Sequence, residues 1–168
     1  DVVKEMTEKP GLYIKVGNDA NVAALGEMWQ GGGKGRKNMI MVTLGTGVGG
    51  GIIVDGKIVA GSHGAGGEIG HMTVNTEETE PCGCGRYGCL EQYASATGAV
   101  RLAKRKLQAT DKQTVLRNYD PLTAKDIFDA AKAKDQVAEE VVEEVTMILG
   151  KQLSDMACGV DPEIIVIG

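Results

Sequence analysis

The 168-residue chain has no apolar run long enough to cross a bilayer, which excludes a membrane-spanning helix. It has no surplus of positive charge. Eighteen Lys and Arg face 23 Asp and Glu, for a formal net charge of −5, which argues against a nucleic-acid-binding surface. The four basic residues between Arg101 and Lys106 fall on a predicted helix and read as a solvated face. No internal repeat and no long low-complexity tract occurs, and the length suits one core of ordinary size. No Gly-Lys-Ser/Thr phosphate loop is present. Histidine is scarce, with two in the chain, and His63, between Ser62 and Gly64 in a loop, is given no role. The cysteine usage suits a reducing compartment, so a cytoplasmic location is expected.

Against this background one stretch is dense in chemistry. Cys82, Cys84 and Cys89 fall within eight residues, and His71 lies eleven residues upstream. Thiolates and a neutral imidazole are preferred zinc ligands, and four of them close a tetrahedral structural site. The glycines between them let a tight loop aim its sulfurs at one point. A disulfide and unliganded thiols are the other readings, but Cys82 and Cys84 are poorly spaced to pair and three cysteines leave one over. A saturated site would not itself be the catalyst. An imidazole bound to metal through one nitrogen can only donate through the other. Two carboxylates, Glu68 and Glu91, flank the stretch, a donor and acceptor set suited to a polyhydroxylated ligand. Cys158 stands apart in an apolar helical pattern and is expected to be a buried thiol.

Residues 1–9 read as the tail of a helix stopped by Pro10-Gly11, followed by a short strand over Leu12–Val16. Asn18 or Asp19 caps a helix on which Val22, Leu25, Met28 and Trp29 recur on one face. Gly31–Gly35 is a surface loop. Asn38–Leu44 is almost continuously apolar and predicts a strand covered on both faces. A turn over Gly45–Gly51, a strand over Ile52–Val54, the hairpin dipeptide Asp55-Gly56 and a strand over Lys57–Ala60 complete an antiparallel meander. Residues 61–70 form a Gly-rich loop that carries Glu68. A helix begins over Leu90–Ser95, and Thr97 caps another to about Gln108. Residues 109–120 are expected as polar loop. Thr123 and Asp126 form a capping box for a helix to about Lys134. A longer helix over about Asp135–Gly159 carries the stripe Val137, Val141, Val145, Ile148, Met156. Asp161-Pro162 ends it before an apolar strand, Glu163–Ile167, of the kind expected in the middle of a sheet. A start at Asp1 and an end just after that strand lead to the expectation that residues precede and follow the chain.

Two further features carry candidate chemistry. The turn Thr43-Leu44-Gly45-Thr46-Gly47-Val48-Gly49-Gly50 can bring backbone N–H groups together on an anion, with the Thr46 hydroxyl as a further donor, although a plain tight hairpin reads the same way. Asp19 sits in an Asn-Asp pair at a strand–helix junction, where an ordinary helix cap is the commoner meaning.

Gly67-Glu68-Ile69-Gly70-His71, followed by Cys82-Gly83-Cys84-Gly85-Arg86-Tyr87-Gly88-Cys89-Leu90-Glu91, closely resembles the zinc and sugar motif of the ROK family of bacterial sugar kinases, repressors and related proteins. Ala94-Ser95-Ala96-Thr97-Gly98 is similar to its glucokinase branch. Asn18-Asp19-Ala20-Asn21 matches the family pattern that holds the aspartate accepting the sugar hydroxyl proton, and the Gly-rich turn resembles the second phosphate loop of actin-like sugar kinases. The resemblance implies an α/β, actin-like, ribonuclease-H-like fold with a mixed sheet flanked by helices and a zinc-binding loop. It implies that residues 1–17 close a small N-terminal domain and hinge and that 18–168 belong to the large sugar- and zinc-binding domain. It implies transfer of the γ-phosphate of MgATP to the 6-hydroxyl of glucose. Asp19 is then the general base. Asn18, Asp19, Glu68, His71 and Glu91 hold sugar, and Gly45, Thr46, Gly47 and Gly49 hold ATP phosphate. His71, Cys82, Cys84 and Cys89 hold zinc. It further implies the partners glucose and ATP, a homo-oligomer (dimer or tetramer), and no nucleic acid or membrane. An aspartate is a weak base for a hydroxyl, but a loose phosphoryl-transfer transition state asks for little early proton abstraction, so it can orient the hydroxyl and take the proton late. The sequence departs from the family pattern in lacking the first phosphate loop, Asp-x-Gly-x-Thr, with which magnesium contacts are expected to go. The adenosine-binding glycines are also missing after Gly168, so the 168 residues alone are expected to be inactive. Kinases of N-acetylmannosamine, N-acetylglucosamine or fructose, and the sugar-sensing domain of a ROK repressor, are the alternatives.

Overall fold

A strand that is apolar at almost every position must be covered on both faces. Met39–Leu44 (β1) is covered in that way: Met39, Ile40 and Val42 are fully buried and Met41 nearly so. Ile40 and Val42 face a cluster with Ile69, Leu90, Leu149 and Met156, whereas Met39 and Met41 face Ala24 and Ile53. The computed structural model describes Met6 and residues 16–168. The helix expected over residues 1–9, its Pro10-Gly11 stop and all but the last residue of the strand expected over Leu12–Val16 lie outside the described residues.

Around β1 the sheet is mixed. Val48–Val54 (β2) pairs with it antiparallel, Met39 opposite Ile53 and Leu44 opposite Val48. Lys57–Ile58 (β3) follows through Asp55-Gly56, both with positive φ (51° and 74°) as a two-residue hairpin requires. Ile164–Ile167 (β4) lies parallel on the other side of β1, giving the order β3-β2-β1-β4. β4 was expected in the middle of a sheet, but among the described strands it is at the end. Its composition still has a cause, because Ile165 packs into one apolar cluster while Ile164 and Val166 pack into the other.

Helix α1 (Asp19–Gln30) covers one face, and of the side chains that its pattern suggested Met28 packs there. Val22 and Trp29 are exposed, Trp29 at 74%, and the buried positions are Ala20 and Ala24. The opposing strand decides this. A Cβ on Gly51 would stand 2.5 Å from the Ala24 Cβ and 3.0 Å from the Ala20 carbonyl, and one on Gly49 would stand 3.1 Å from the Ala20 Cβ. The helix backbone approaches β2 so closely that only small residues fit between them.

On the other face lie α2 (Glu91–Ala94), α3 (Ala96–Ala109), α4 (Ala124–Lys132) and α5 (Gln136–Val160). A second core of Tyr93, Leu102, Leu116, Ile127, Val137 and Val141 joins them. The Thr123–Asp126 capping box is present, and Asp161 ends α5 in the left-handed region at φ 48°. The cap of α3 is Ser95, whose Oγ accepts from the Gly98 amide, not Thr97 as expected. The segment expected as polar loop contains a 3₁₀ turn, Val115–Asn118, pinned by the buried Leu116. Cys158 is exposed and not buried, because two residues past the buried Met156 is roughly 200° around a helix.

The basic cluster on α3 is not simply a solvated face. Arg101 and Arg105 converge on Glu78, whose side chain is 1% exposed. Glu78 Oε1 accepts from Arg105 Nη2 at 2.9 Å, and Oε2 accepts from Arg105 Nη1 at 3.1 Å, from Tyr93 Oη at 2.5 Å and from Arg101 Nη2. Burial opposes ionisation of this carboxyl, but the Arg105 fork, with Arg101 and Tyr93, holds it far below the usual carboxylate range.

Two outcomes follow from this packing. Gly51→Ala is expected to destabilise the chain by about 1–3 kcal/mol through overpacking against Ala20 and Ala24, measured by urea unfolding. Breaking a buried ion pair is costly, so Glu78→Gln is expected to lose about 3 kcal/mol near pH 7. A depressed pKa stabilises the fold above the ordinary glutamate value of 4.5, and the contribution falls away as pH drops below it. The gap between the unfolding free energies of the parent chain and Glu78→Gln should therefore narrow from pH 6 to pH 3.

Candidate active site

Asn18 is extended (φ −60°, ψ 137°) and caps α1, its Oδ1 accepting from the Asn21 amide at 3.1 Å. That bond commits the Asn18 oxygen and leaves its amide N–H groups to donate. The cap also fixes where Asp19 stands: at the first position of the helix, exposed, with Oδ1 accepting from the Ala20 amide at 2.8 Å. Opposite it the turn between β1 and β2 closes through the Gly45 amide donating to the Gly47 carbonyl at 3.0 Å. Asp19, Thr43, Gly45, Thr46, Gly47, Gly49 and Glu91 line one cavity of about 450 Å³, together with Ala20, Leu44, Val48 and Gly168. An exposed carboxylate thus shares a cleft with a glycine turn and with the start of a helix. Backbone donors of such turns suit the phosphate groups of a nucleotide.

The cysteine loop is shaped by two glycines with positive φ. Gly85 (φ 81°) donates its amide to the Cys82 carbonyl at 2.8 Å, and the Cys82 amide donates to the Arg86 carbonyl at 2.7 Å. Gly88 (φ 67°) has no room for a side chain, since a Cβ there would lie 1.7 Å from the Asn75 carbonyl oxygen. All four cysteines of the chain are free. The ligand atoms of His71, Cys82, Cys84 and Cys89 lie within 4.8 Å of one another. Cys84 and Cys89 Sγ are 3.7 Å apart, and Cys82 Sγ is 3.9 Å from His71 Nδ1. Zinc–sulfur bonds of about 2.3 Å set tetrahedral S···S edges at roughly 3.8 Å, so the Cys84–Cys89 edge matches such a site and the four donors are of the types that zinc takes. Burial, with the neighbouring thiols, pushes the Cys89 thiol up to about 12. A cation held in the cluster would favour its thiolate.

Glu91 joins the two regions. Its Oε2 accepts from the Val48 amide at 3.1 Å, and its Oε1 lies 3.9 Å from Cys82 Sγ. The turn is also tied to the start of α3. Thr97 Oγ1 donates to the Thr46 carbonyl at 2.7 Å, and the Ala96 amide donates to the Gly45 carbonyl at 2.9 Å. Thr97 is therefore a positioning residue for the turn and not a cap. Two hydroxyl residues at one helix start, Ser95 and Thr97, were the available signal, but nothing local says which of them caps. Glu68 and His71 do not line the cavity. Glu68 is exposed, immediately before the 3₁₀ turn Ile69–His71, and His71 belongs to the cysteine cluster. Gly67 beside it (φ 88°) packs on β2, where a Cβ would lie 2.8 Å from the Gly50 carbonyl oxygen and 3.5 Å from Asn21 Oδ1. Asn21 Oδ1 is buried and has no hydrogen-bond donor among the described residues. His63 is exposed in the loop before Gly64.

The chain is 48% identical to a glucokinase of Halalkalibacterium halodurans, over 98% of this chain and 51% of that protein. It is 34% identical to a xylose repressor of Caldicellulosiruptor bescii, over 96% of this chain and 41% of the repressor. Among solved structures it is similar to a ROK family glucokinase of Streptomyces griseus in complex with glucose and AMPPNP, with TM-score 0.84 and 38% identity over 98% of this chain and 55% of that one. The chain spans about half the length of the curated relatives that it matches. The mixed sheet flanked by helices is that of these sugar kinases. The ROK family profile matches residues 1–168, the whole of the sequence, and on this ground, with the turn, the cysteine loop and the Asn-Asp helix start all in place, the chain belongs to the ROK family.

Proposed function

We propose that the protein is an ATP-dependent glucokinase of the cytoplasm, acting as a homo-oligomer, and that residues 18–168 are the greater part of its sugar-binding domain. The observation that carries the reading is that Asp19, the Gly45–Gly49 turn and Glu91 line a single cavity. A carboxylate that can orient a hydroxyl and a turn whose backbone can hold phosphate are the two parts that phosphoryl transfer needs side by side. The 48% identity to a protein named glucokinase favours glucose over N-acetylmannosamine, N-acetylglucosamine or fructose.

In this mechanism Asp19 accepts a hydrogen bond from the glucose 6-hydroxyl, aligns its oxygen on the γ-phosphate and takes the proton late, as the oxygen bonds to phosphorus. The turn residues Gly45, Thr46, Gly47 and Gly49 hold phosphate oxygens through the backbone N–H groups not already committed within the turn and through the Thr46 hydroxyl. Magnesium, when bound with ATP, supplies neutralisation of the phosphate charge. Asn18, through its amide N–H groups, donates to the sugar, and Glu68 and Glu91 accept from ring hydroxyls. His71, Cys82, Cys84 and Cys89 would hold a structural zinc ion. With Nδ1 toward the cysteines, His71 then carries its proton on Nε2 and can only donate. Thr97 and Glu91 keep the turn in register with the loop.

ADP release by the whole protein, measured against a panel of hexoses, tests the reaction. Turnover on glucose is expected, and Asp19→Asn should lower kcat by about 10²–10⁴-fold. No turnover on any hexose, with glucose binding retained by calorimetry, would assign sugar sensing instead. For the sugar contacts, Glu68→Ala is expected to raise the KM for glucose about 5- to 150-fold, the equivalent of roughly 1–3 kcal/mol for an unpaired hydroxyl. An unchanged KM removes Glu68 from the site.

A further inference from the structure

We infer that Glu78 is a positioning residue for the metal loop, holding the His71–Cys82 connection on helix α3 so that the imidazole and the three sulfurs meet. The inference rests on the zinc reading given above. Glu78 lies seven residues after His71 and four before Cys82, inside the segment that joins the first ligand to the rest. Such a connection is short of apolar anchors: among residues 75–81 Glu78 is the only buried position. Its anchoring is polar and unusually complete.

Two oxygens receive six donors. Arg105 supplies a two-pronged fork, at 2.9 and 3.1 Å, and Arg101 and Tyr93 add one donor each. The amides of Thr79 and Glu80 both donate to Oε1 at 3.0 Å, which curls the segment around its own carboxylate. Tyr93 Oη in turn accepts from Asn75 Nδ2 at 2.9 Å, so both ends of the connection are tied to one centre.

From this centre hydrogen bonds run directly into the ligand loop. Arg101 Nε donates to Glu80 Oε2 at 2.7 Å, and Arg101 Nη1 donates to the Gln92 carbonyl at 3.2 Å. Gln92 bridges the two strands of the loop: its Nε2 donates to the Glu80 carbonyl at 2.9 Å, and its Oε1 accepts from the Cys89 amide at 3.1 Å. Glu80 is followed by Pro81 and Cys82, and Gln92 follows Glu91. The network therefore sets the spacing between the backbones that carry Cys82 and Cys89, and it also sets the root of Glu91. A buried charge cluster is a poor source of net stability compared with apolar packing, but its bidentate, directional bonds specify one geometry. Outer partners of this kind typically change metal retention about 10- to 100-fold when removed.

The test is release of zinc to excess chelator, followed with a metallochromic dye, on the folded protein at a temperature well below unfolding, after elemental analysis of the parent. One zinc per chain is expected in the parent. Glu78→Gln keeps the shape but removes the charge, and it should speed release about tenfold. Arg105→Lys keeps the charge but removes the fork, and it should speed release in the same direction. It also serves where the glutamine variant folds poorly. Ile127→Ala, in the core between α3, α4 and α5, is the control for stability alone and should release zinc within about twofold of the parent. A parent that holds zinc as firmly as both network variants, or an Ile127→Ala control that releases it as fast as they do, overturns the positioning role and leaves the metal reading standing. A folded parent that holds no zinc overturns both.

Discussion

Glu91 faces two halves of the molecule at once, and the arrangement of the site depends on it. One carboxylate oxygen receives the amide of Val48 at the end of the β1–β2 turn, and the other stands against Cys82 of the ligand loop. Its main chain begins α2, and the Ser95 hydroxyl donates back to its carbonyl at 2.6 Å before capping α3. A Cβ on Gly47 would fall 2.2 Å from the same carboxylate, so a larger residue there would push the Glu91 side chain aside. The cavity beside the turn and the cysteine loop are thereby held in one register by a residue that lines the first and stands against the second.

The same economy of space governs the opposite face. Asp19 enters the cavity because α1 starts there, and α1 lies where it does because β2 offers glycines to Ala20 and Ala24. Larger side chains between helix and strand would lift the helix and carry the carboxylate away from the turn. Close backbone packing is thus part of how the cleft is assembled, and of the large apolar side chains of α1 Met28 packs beside Ala24 while Val22, Leu25 and Trp29 are exposed.

Local signals were read correctly where the physics is local. The hairpin at Asp55-Gly56 needs two positive φ values, and the sequence supplies residues that tolerate them. The Thr123–Asp126 box, the β1 run and the α5 stripe of Val137, Val141 and Val145 are likewise short-range or periodic patterns. Errors arose where a distant partner decides. Cys158 lies in an apolar stretch but on the outer side of α5. Arg101 and Arg105 look like surface charge until Glu78, more than twenty residues earlier, is placed beneath them.

The sequence by itself determined the chemistry available: the Cys and His donors and their spacing, the Asn-Asp helix start, the glycine turn and the family pattern that joins them. These are properties of residue type and order, and they survive without coordinates. Tertiary structure alone decided which groups meet. It put Asp19, the turn and Glu91 in one cavity while leaving Glu68 outside it, gave the α3 cap to Ser95 and the turn to Thr97, and buried the Glu78 carboxylate under two arginines. Each of those outcomes depends on the distance between segments far apart in the chain. That distance is set by how closely the backbones can pack, a quantity that no local pattern carries.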